Sequence, residues 1–330
     1  MKKINVGIIG FGKMGQIRAQ SLEKSGKARI ISVFETNTTR NLNYKFVKNV
    51  KEIFEDSDID AIFISTPNNL NKTYTIDGLI AGKHIFCEKP PAFNSKDVEE
   101  IIQVETKSKK KLMYGFNHRH HDSIRYMKSL IESKEYGKIL WMRGRYGKSV
   151  DKSFFNSWRA KKDIAGGGIL LDQGIHMIDL FIYFSGKFDV VKADVSSLYW
   201  NLEIEDNVFA IYKNSKTGVR ASLHSTMTQW RHLFSLEVFL EKGYLVMNGL
   251  KTSSGTYGEE ILSVAKNRST APAATWQDEE HHKFEVNNSW EHEINHFINS
   301  IQNDLPIQIG SSNDALSVMK LIDKTYEKGK

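Results

Sequence analysis

Ile4–Gly15 reads INVGIIGFGKMG, an apolar run that closes on three glycines spaced G-x-G-x-x-G. Ile4–Ile9 has the length and composition of a buried strand, and MGQIRAQSLEKSG (14–26) carries apolar residues at helical spacing with a glycine stop. A strand that turns through glycines into a helix is the pattern expected of a phosphate-binding turn. Gly10 permits the tight turn, Gly12 lets the backbone approach a pyrophosphate, Gly15 lets helix and strand pack closely, and the helix N-terminus favours the phosphate charge. Phe11, Lys13 and Met14 lie within the loop and join it as expected cofactor contacts. The next strand, ARIISVFE, ends on Glu35, twenty positions after Gly15, where a carboxylate accepts the adenosine ribose hydroxyls and repels a 2′-phosphate. NAD is therefore expected, and NADP is less favoured, with Arg40 the nearby residue that speaks for it.

Outward from this loop, strands alternate with helices: DIDAIFIST (58–66), TYTIDGLIAGKH (73–84), HIFCE (84–88), DVEEIIQVETKSKK (97–110) and KLMYGF (111–116). Such alternation implies right-handed crossovers and a doubly wound parallel sheet, an α/β domain over residues 1–118. After Asn117 the texture changes. One helix (DSIRYMKSLIES) leads to a strand (KILWMRGRYG), a long loop (148–168) and an apolar helix, GGGILLDQGIHMIDLF (166–181). From Val190 the pattern is mostly strands, with NSKTG and EKG as hairpin turns. Residues 119–330 thus read as an α+β domain with an open, mostly antiparallel sheet. Helices at about 290–302 and 313–326 close the chain, and the last, at about 311–328, is expected to pack back on the first domain.

The chain has 330 residues, 40% of them hydrophobic, enough for two cores. A net charge of +7 is spread among 46 basic and 39 acidic residues without a basic stripe, which argues against nucleic acid as a partner and suits anionic small ligands. A lone Cys87 excludes an intrachain disulfide and a cysteine-based zinc site. Met1–Ile9 is too poor in apolar residues for a signal peptide, and no run approaches the roughly 20 apolar residues of a membrane span, so no membrane partner and a cytoplasmic location are expected.

Two further motifs carry chemistry. Thr66, Pro67 and Asn68 follow a strand at the carboxyl edge where such sheets bind ligands, and Glu88-Lys89-Pro90 ends another. In the apolar helix, Asp172, His176 and Asp179 stand four and three apart, along one stripe of a regular helix. Together GFGKMG, AGKHIFCEKP (81–90) and GGGILLDQGIHMIDL resemble the Gfo/Idh/MocA oxidoreductases, the glucose–fructose oxidoreductase and inositol dehydrogenase group. The resemblance covers essentially the whole chain, including DALSVMKLIDKTYE (314–327). It implies a Rossmann domain for the nicotinamide cofactor, with Glu88 and Lys89 beside it, and a second domain that covers a sugar, cyclitol or nucleotide-sugar substrate and mediates a homo-oligomer, a dimer or tetramer. By motif position it implies catalytic roles for Lys89, Asp172 and His176 in a cleft between the domains. Where many members carry a histidine shortly after the T-P pair, this chain has Asn71.

Histidine suits a base because its ordinary pKa of about 6.5 lies near working pH, and a carboxylate such as Asp172 can fix its tautomer. Lysine suits polarisation of the reacting oxygen. Asp179 is expected to face solvent or a neighbouring helix, and Gly166–Gly168 to give flexibility between the loop and the helix. Trp158 and Arg159, with Lys161 and Lys162 after them, suit an anionic sugar, with Asn117, Arg119 and Tyr146 as further substrate candidates. NHRHHD (117–122) and EEHHK (279–283) lack a convincing ligand set, and no metal is expected. Two other readings share the cofactor: a glycoside hydrolase that oxidises its sugar transiently, and a sensor of NAD and sugar without catalysis.

Overall fold

The computed structural model describes residues 3–36, 44–268 and 270–329, so Arg40 lies outside the described residues. The chain divides into two compact units, residues 1–117 with 289–319, and residues 118–288 with 320–330.

In the first unit, β1 (Ile4–Ile9), α1 (Lys13–Ser25), β2 (Ala28–Phe34), β3 (Phe46–Val47), α2 (Lys51–Glu55), β4 (Ala61–Ile64), α3 (Asn68–Ile80), β5 (His84–Cys87), α4 (Ser95–Ser108) and β6 (Leu112–Tyr114) follow one another. All strand pairings are parallel, in the order β3-β2-β1-β4-β5-β6. The order reverses between β1 and β4, the switch point at which doubly wound sheets bind ligands. β4 is buried at every position, as a strand covered on both faces must be. Helix ends follow local chemistry: the Asn94 side chain accepts the Asp97 N–H at the start of α4, and α1 stops at Gly26 with φ 66°.

In the second unit, α5 (Asp122–Glu132), β7 (Ile139–Ser149), the short α6 (Lys162–Ala165) and α7 (Ile175–Ser185) precede a run of strands. These are β8 (Val190–Ser196), β9 (Asn207–Lys213), β10 (Arg220–Thr226), β11 (Thr228–Leu240), β12 (Gly243–Asn248), β13 (Glu260–Lys266) and β14 (Glu280–Phe284). The sheet runs β14-β13-β12-β11-β7-β10-β9-β8, antiparallel except for the parallel pair β7/β10. The expected fold class therefore holds for both parts. The sheet is larger than expected by β13 and β14.

The last helices are α8 (Ser289–Gln302) and α9 (Ser312–Lys328). The segment that returns to the first unit begins at Ser289, well before the helix expected to do so. Ile294, Phe297 and Ile298 of α8 belong to the same buried core as Val6, Ile8, Phe63 and Phe86, and the Phe297 ring stands edge-on to Phe63 at 5.6 Å and to Phe86 at 5.7 Å. Among the described residues no helix is long and apolar enough to cross a membrane.

Candidate active site

At the end of β1 the chain turns through Gly10 at φ 86°, where a Cβ would stand 2.5 Å from the Ser65 carbonyl oxygen. Only glycine fits there, and the turn is thereby pressed against the loop that follows β4. A Cβ on Gly15 would lie 2.1 Å from the Gly10 oxygen, which explains the third glycine, whereas a Cβ on Gly12 would meet nothing within 4 Å. Gly12 is the N-cap of α1, and no side chain caps that helix. Its first N–H groups are thus presented to an open, positively polarised end. The Glu35 carboxylate accepts the Phe11 N–H at 2.6 Å and the Thr36 N–H at 2.8 Å, which sets the acid beside the glycine turn. Open cradle, uncapped helix and adjacent acid fit a dinucleotide: Gly10–Gly15 would hold its pyrophosphate and Glu35 its ribose. The Phe11 side chain departs from expectation. It is buried in the core, edge-on to Tyr44 and Phe46, so only its backbone belongs to the loop.

Thr66, Pro67 and Asn68 are half-buried at the start of α3, and half-buried Lys89 follows β5 at the same sheet edge. Glu88, expected at the cofactor, is 7% exposed, and Arg18 binds its carboxylate at 2.6 Å. Arg18 is fully buried, paired at 2.5 Å with Glu293 of α8 and placed over the rings of Phe86 and Trp290. Burial works against its charge, but Glu293 and Glu88 outweigh that and hold the guanidinium above its ordinary pKa. Glu88 thus anchors the turn that bears Lys89. Burial pushes the neighbouring Cys87 thiol up to about 12, which keeps it an inert core group.

The second unit carries the remaining motif residues. Leu170–Gly174 is a π-helical turn that leads into α7. The wide turn breaks the even stripe expected for Asp172, His176 and Asp179. Asp172 keeps 24% of its side chain exposed, while His176 is 5% and Asp179 0% exposed. Lys148 of β7 pairs with one Asp172 oxygen, and the Arg159 Nε stands 3.7 Å from the other. The His176 ring stacks on His118 at 3.9 Å and 18°, and the Tyr146 hydroxyl lies 3.1 Å from His118 Nε2. Burial, then Tyr257, drive the Tyr146 phenol well above its ordinary pKa. Tyr257 in turn receives a hydrogen bond from the Gln173 amide. Burial, then Lys148, lower the pKa of His232.

Asp179 meets a neighbouring helical turn, one of the two surroundings expected for it, and not solvent: its carboxylate takes two hydrogen bonds from Arg119 of the 3₁₀ turn Asn117–His120, at 2.8 and 2.6 Å. Two other expectations need correction here. Arg119 is 2% exposed, committed to that pair and placed over the Tyr183 ring, so its guanidinium is not presented to a substrate. Nor does Gly166–Gly168 read as a flexible joint. Gly168 lies so close to Glu205 that a Cβ would sit 1.9 Å from the Glu205 carbonyl oxygen. The Glu205 carboxylate accepts the N–H groups of Gly168 and Leu170 and the Tyr326 hydroxyl. Burial nonetheless raises the Glu205 pKa, and the carboxylate acts as a remote cap for the π-helical turn. Of the other substrate candidates, Trp158 and Arg159 stay accessible on a short 3₁₀ turn, the guanidinium 4.4 Å above the indole, while Asn117 and Tyr146 are buried. The histidines of NHRHHD and EEHHK are dispersed: His121 binds Glu260, and His281 binds Ser263. Among the described residues no group of three or more histidine, cysteine or acidic side chains could hold a metal.

Sequence reasoning missed Lys148, His118 and Glu205. Only the topology that places β7, the turn after β6 and the loop before β9 around one helix reveals them.

Residues 4–116 match the model of an oxidoreductase family with an NAD-binding Rossmann fold, and residues 124–246 match the GFO/IDH/MocA C-terminal domain. Levoglucosan dehydrogenase of Pseudarthrobacter phenanthrenivorans is 32% identical over 60% of this chain and 55% of its own length, so the match spans little more than half of that relative. Glucose-6-phosphate 3-dehydrogenase of Bacillus subtilis is 26% identical over 99% of this chain and 96% of its own. A solved levoglucosan dehydrogenase in complex with NADH superposes with a TM-score of 0.87 at 23% identity, covering 99% of this chain and 97% of that one, which shows the shared fold. The two family models run almost end to end from residue 4 to residue 246, and the chain belongs to the GFO/IDH/MocA family of NAD-binding oxidoreductases.

Proposed function

We propose that this protein is an NAD-dependent dehydrogenase that moves a hydride between a secondary alcohol of a sugar, cyclitol or nucleotide-linked sugar and the nicotinamide. The observation that carries the reading is the glycine cradle, where Gly12 alone opens to space over an uncapped helix and Glu35 stands beside it. NAD, when bound, supplies the hydride acceptor. His176 takes the hydroxyl proton, and the neighbouring His118 ring fixes the plane of its imidazole. Lys89 polarises the reacting oxygen and offsets the alkoxide-like charge that develops. Asp172 anchors the cationic side of the site through Lys148 and Arg159. Those two cations, with Trp158, suit a sugar bearing phosphate or carboxylate, and the likeness to a glucose-6-phosphate 3-dehydrogenase supports that preference. A nucleotide-sugar used in cell-surface glycan assembly falls in this class. A homo-oligomer, dimer or tetramer, is supported by apolar side chains left open on the second sheet, Trp141 of β7 and Phe209 and Ile211 of β9.

The test is direct. The protein is incubated with NAD and a panel that includes levoglucosan, glucose 6-phosphate, myo-inositol and several nucleotide-sugars, while reduced nicotinamide is followed. Oxidation of at least one compound is expected. Failure to oxidise any of them, or to reduce the corresponding ketones with NADH, overturns the proposal.

A further inference from the structure

Asn71 stands in the first turn of α3, fully buried. Its amide is used at both ends. Nδ2 donates to the carbonyl of Glu88 at 3.3 Å and to that of Pro90 at 2.8 Å, and Oδ1 accepts the Thr66 hydroxyl at 3.1 Å. The two carbonyls are those on either side of Lys89. A carboxamide is suited to this task because its two N–H groups diverge from one nitrogen, while a neutral imidazole has a single N–H to give. Thr66 lies at the opposite end of the amide, in the loop after β4 that Gly10 touches.

The turn is also fixed from its other side. The Glu88 N–H donates to the Ile64 carbonyl at 2.9 Å, and its carboxylate is held by the Arg18–Glu293 pair. The residue before Lys89 is therefore held at its nitrogen, its side chain and its oxygen, and the residue after it at its oxygen.

From this geometry we infer that Asn71 is the positioning residue of Lys89. It clamps the carbonyls on both sides of the lysine and ties them to Thr66, so that the lysine backbone and the loop after β4 keep one fixed spacing. The inference rests on the catalytic assignment of Lys89 made above. It deepens that reading by naming what aims the ammonium group, since a misplacement of about 1 Å in a reacting group costs up to about a hundredfold in rate.

The experiment compares the full-length wild type with Asn71→Leu, which keeps the shape and removes the hydrogen bonds, and with Asn71→His, which restores one donor. Three quantities are measured: NAD affinity by titration, kcat and KM on a sugar that the wild type oxidises, and the rate at which acetic anhydride labels Lys89 relative to the other lysines, read by mass spectrometry. For Asn71→Leu we expect NAD affinity and KM within about threefold of wild type, kcat lower by about 10- to 100-fold, and Lys89 labelling altered at least about threefold with the other lysines unchanged. Asn71→His should recover part of both kcat and labelling. If the Asn71→Leu chain does not fold, Asn71→Gln, whose longer arm displaces the same donors, carries the same measurements. Unchanged labelling, or altered labelling with wild-type kcat, overturns the inference. A wild type that oxidises no sugar refutes the proposed function, and the labelling comparison then decides the clamp by itself.

Discussion

The three glycines of the first loop can be separated by substitution, and the structure gives each a different outcome. A methyl group at Gly12 meets no protein atom within 4 Å, and the residue has φ −65°, open to any amino acid. The small loss of a glycine N-cap is offset by the reduced freedom of the unfolded chain, so Gly12→Ala should change stability by less than about 1 kcal/mol. The space that the methyl enters is where the backbone must approach a pyrophosphate. Loss of one or two charge-assisted N–H bonds, at about 1.5–3 kcal/mol each, predicts NAD binding weaker by about 3 kcal/mol, or roughly a hundredfold in Kd. Gly15→Ala has the opposite signature. Its Cβ would fall 2.1 Å from the Gly10 oxygen and 3.0 Å from the Gly10 carbonyl carbon, both backbone, so α1 must move and the cost is about 2 kcal/mol or more in the unliganded protein. Calorimetric titration with NAD and thermal unfolding without it distinguish the two. Wild-type NAD affinity in Gly12→Ala, or equal loss of stability in both variants, would refute the assignment of the open cradle to the cofactor.

Three further outcomes follow from other parts of the molecule. His176→Ala should lower turnover by about a hundredfold or more while NAD affinity stays near wild type, and unchanged turnover removes His176 from the mechanism. Asp179→Ala leaves the buried Arg119 guanidinium without its carboxylate and should cost about 3–5 kcal/mol in urea unfolding; a wild-type midpoint with a raised KM would instead return Arg119 to the substrate. Burial, then Lys110 and Lys111, lower the His84 pKa from 6.5 to about 4, and its Nδ1 accepts the Lys111 N–H at 3.0 Å. The unfolded chain binds this proton more readily than the folded one, so stability should rise from pH 4 to about 6.5, by on the order of 1–2 kcal/mol once the half-buried ring is discounted for solvent screening. Urea unfolding across that range checks the slope, which should flatten in His84→Gln; an equal slope in both would assign it to other groups.

The parts of the fold legible in the sequence are those that depend on neighbours along the chain. Ile4–Gly15 specifies its strand, turn and helix within a dozen residues, and β4 and β5 are short apolar runs because both of their faces are covered. β14 was not legible, since EHHKF is a half-exposed edge strand of polar composition, and β13 lacks alternation because nearly all of it is buried. The candidate site divides in the same way. Lys89, Asp172 and His176 stand in motifs, but Lys148 meets Asp172 from 24 positions away, His118 stacks on His176 from 58, and Arg119 meets Asp179 across 60. The π-helical turn is capped by Glu205, more than thirty positions downstream of Gly168 and Leu170, whose N–H groups it accepts, and spacing within the helix carries no trace of it.

The place of α8 in the first core bears on how the chain is made. About 170 residues separate Asn117 from Ser289, and the whole second unit apart from its last residues is synthesised in that interval. At roughly 5–20 residues per second, Phe297 leaves the ribosome on the order of ten seconds or more after the strands it will cover. Through that time the stacked rings of Phe63 and Phe86 and the buried guanidinium of Arg18 lack their partners from α8. The amino-terminal unit, translated first, is thus completed almost last. A fragment cut at residue 117 would lack part of its own core, and grafting this nucleotide-binding unit into another protein would require the carboxyl-terminal segment to be carried with it.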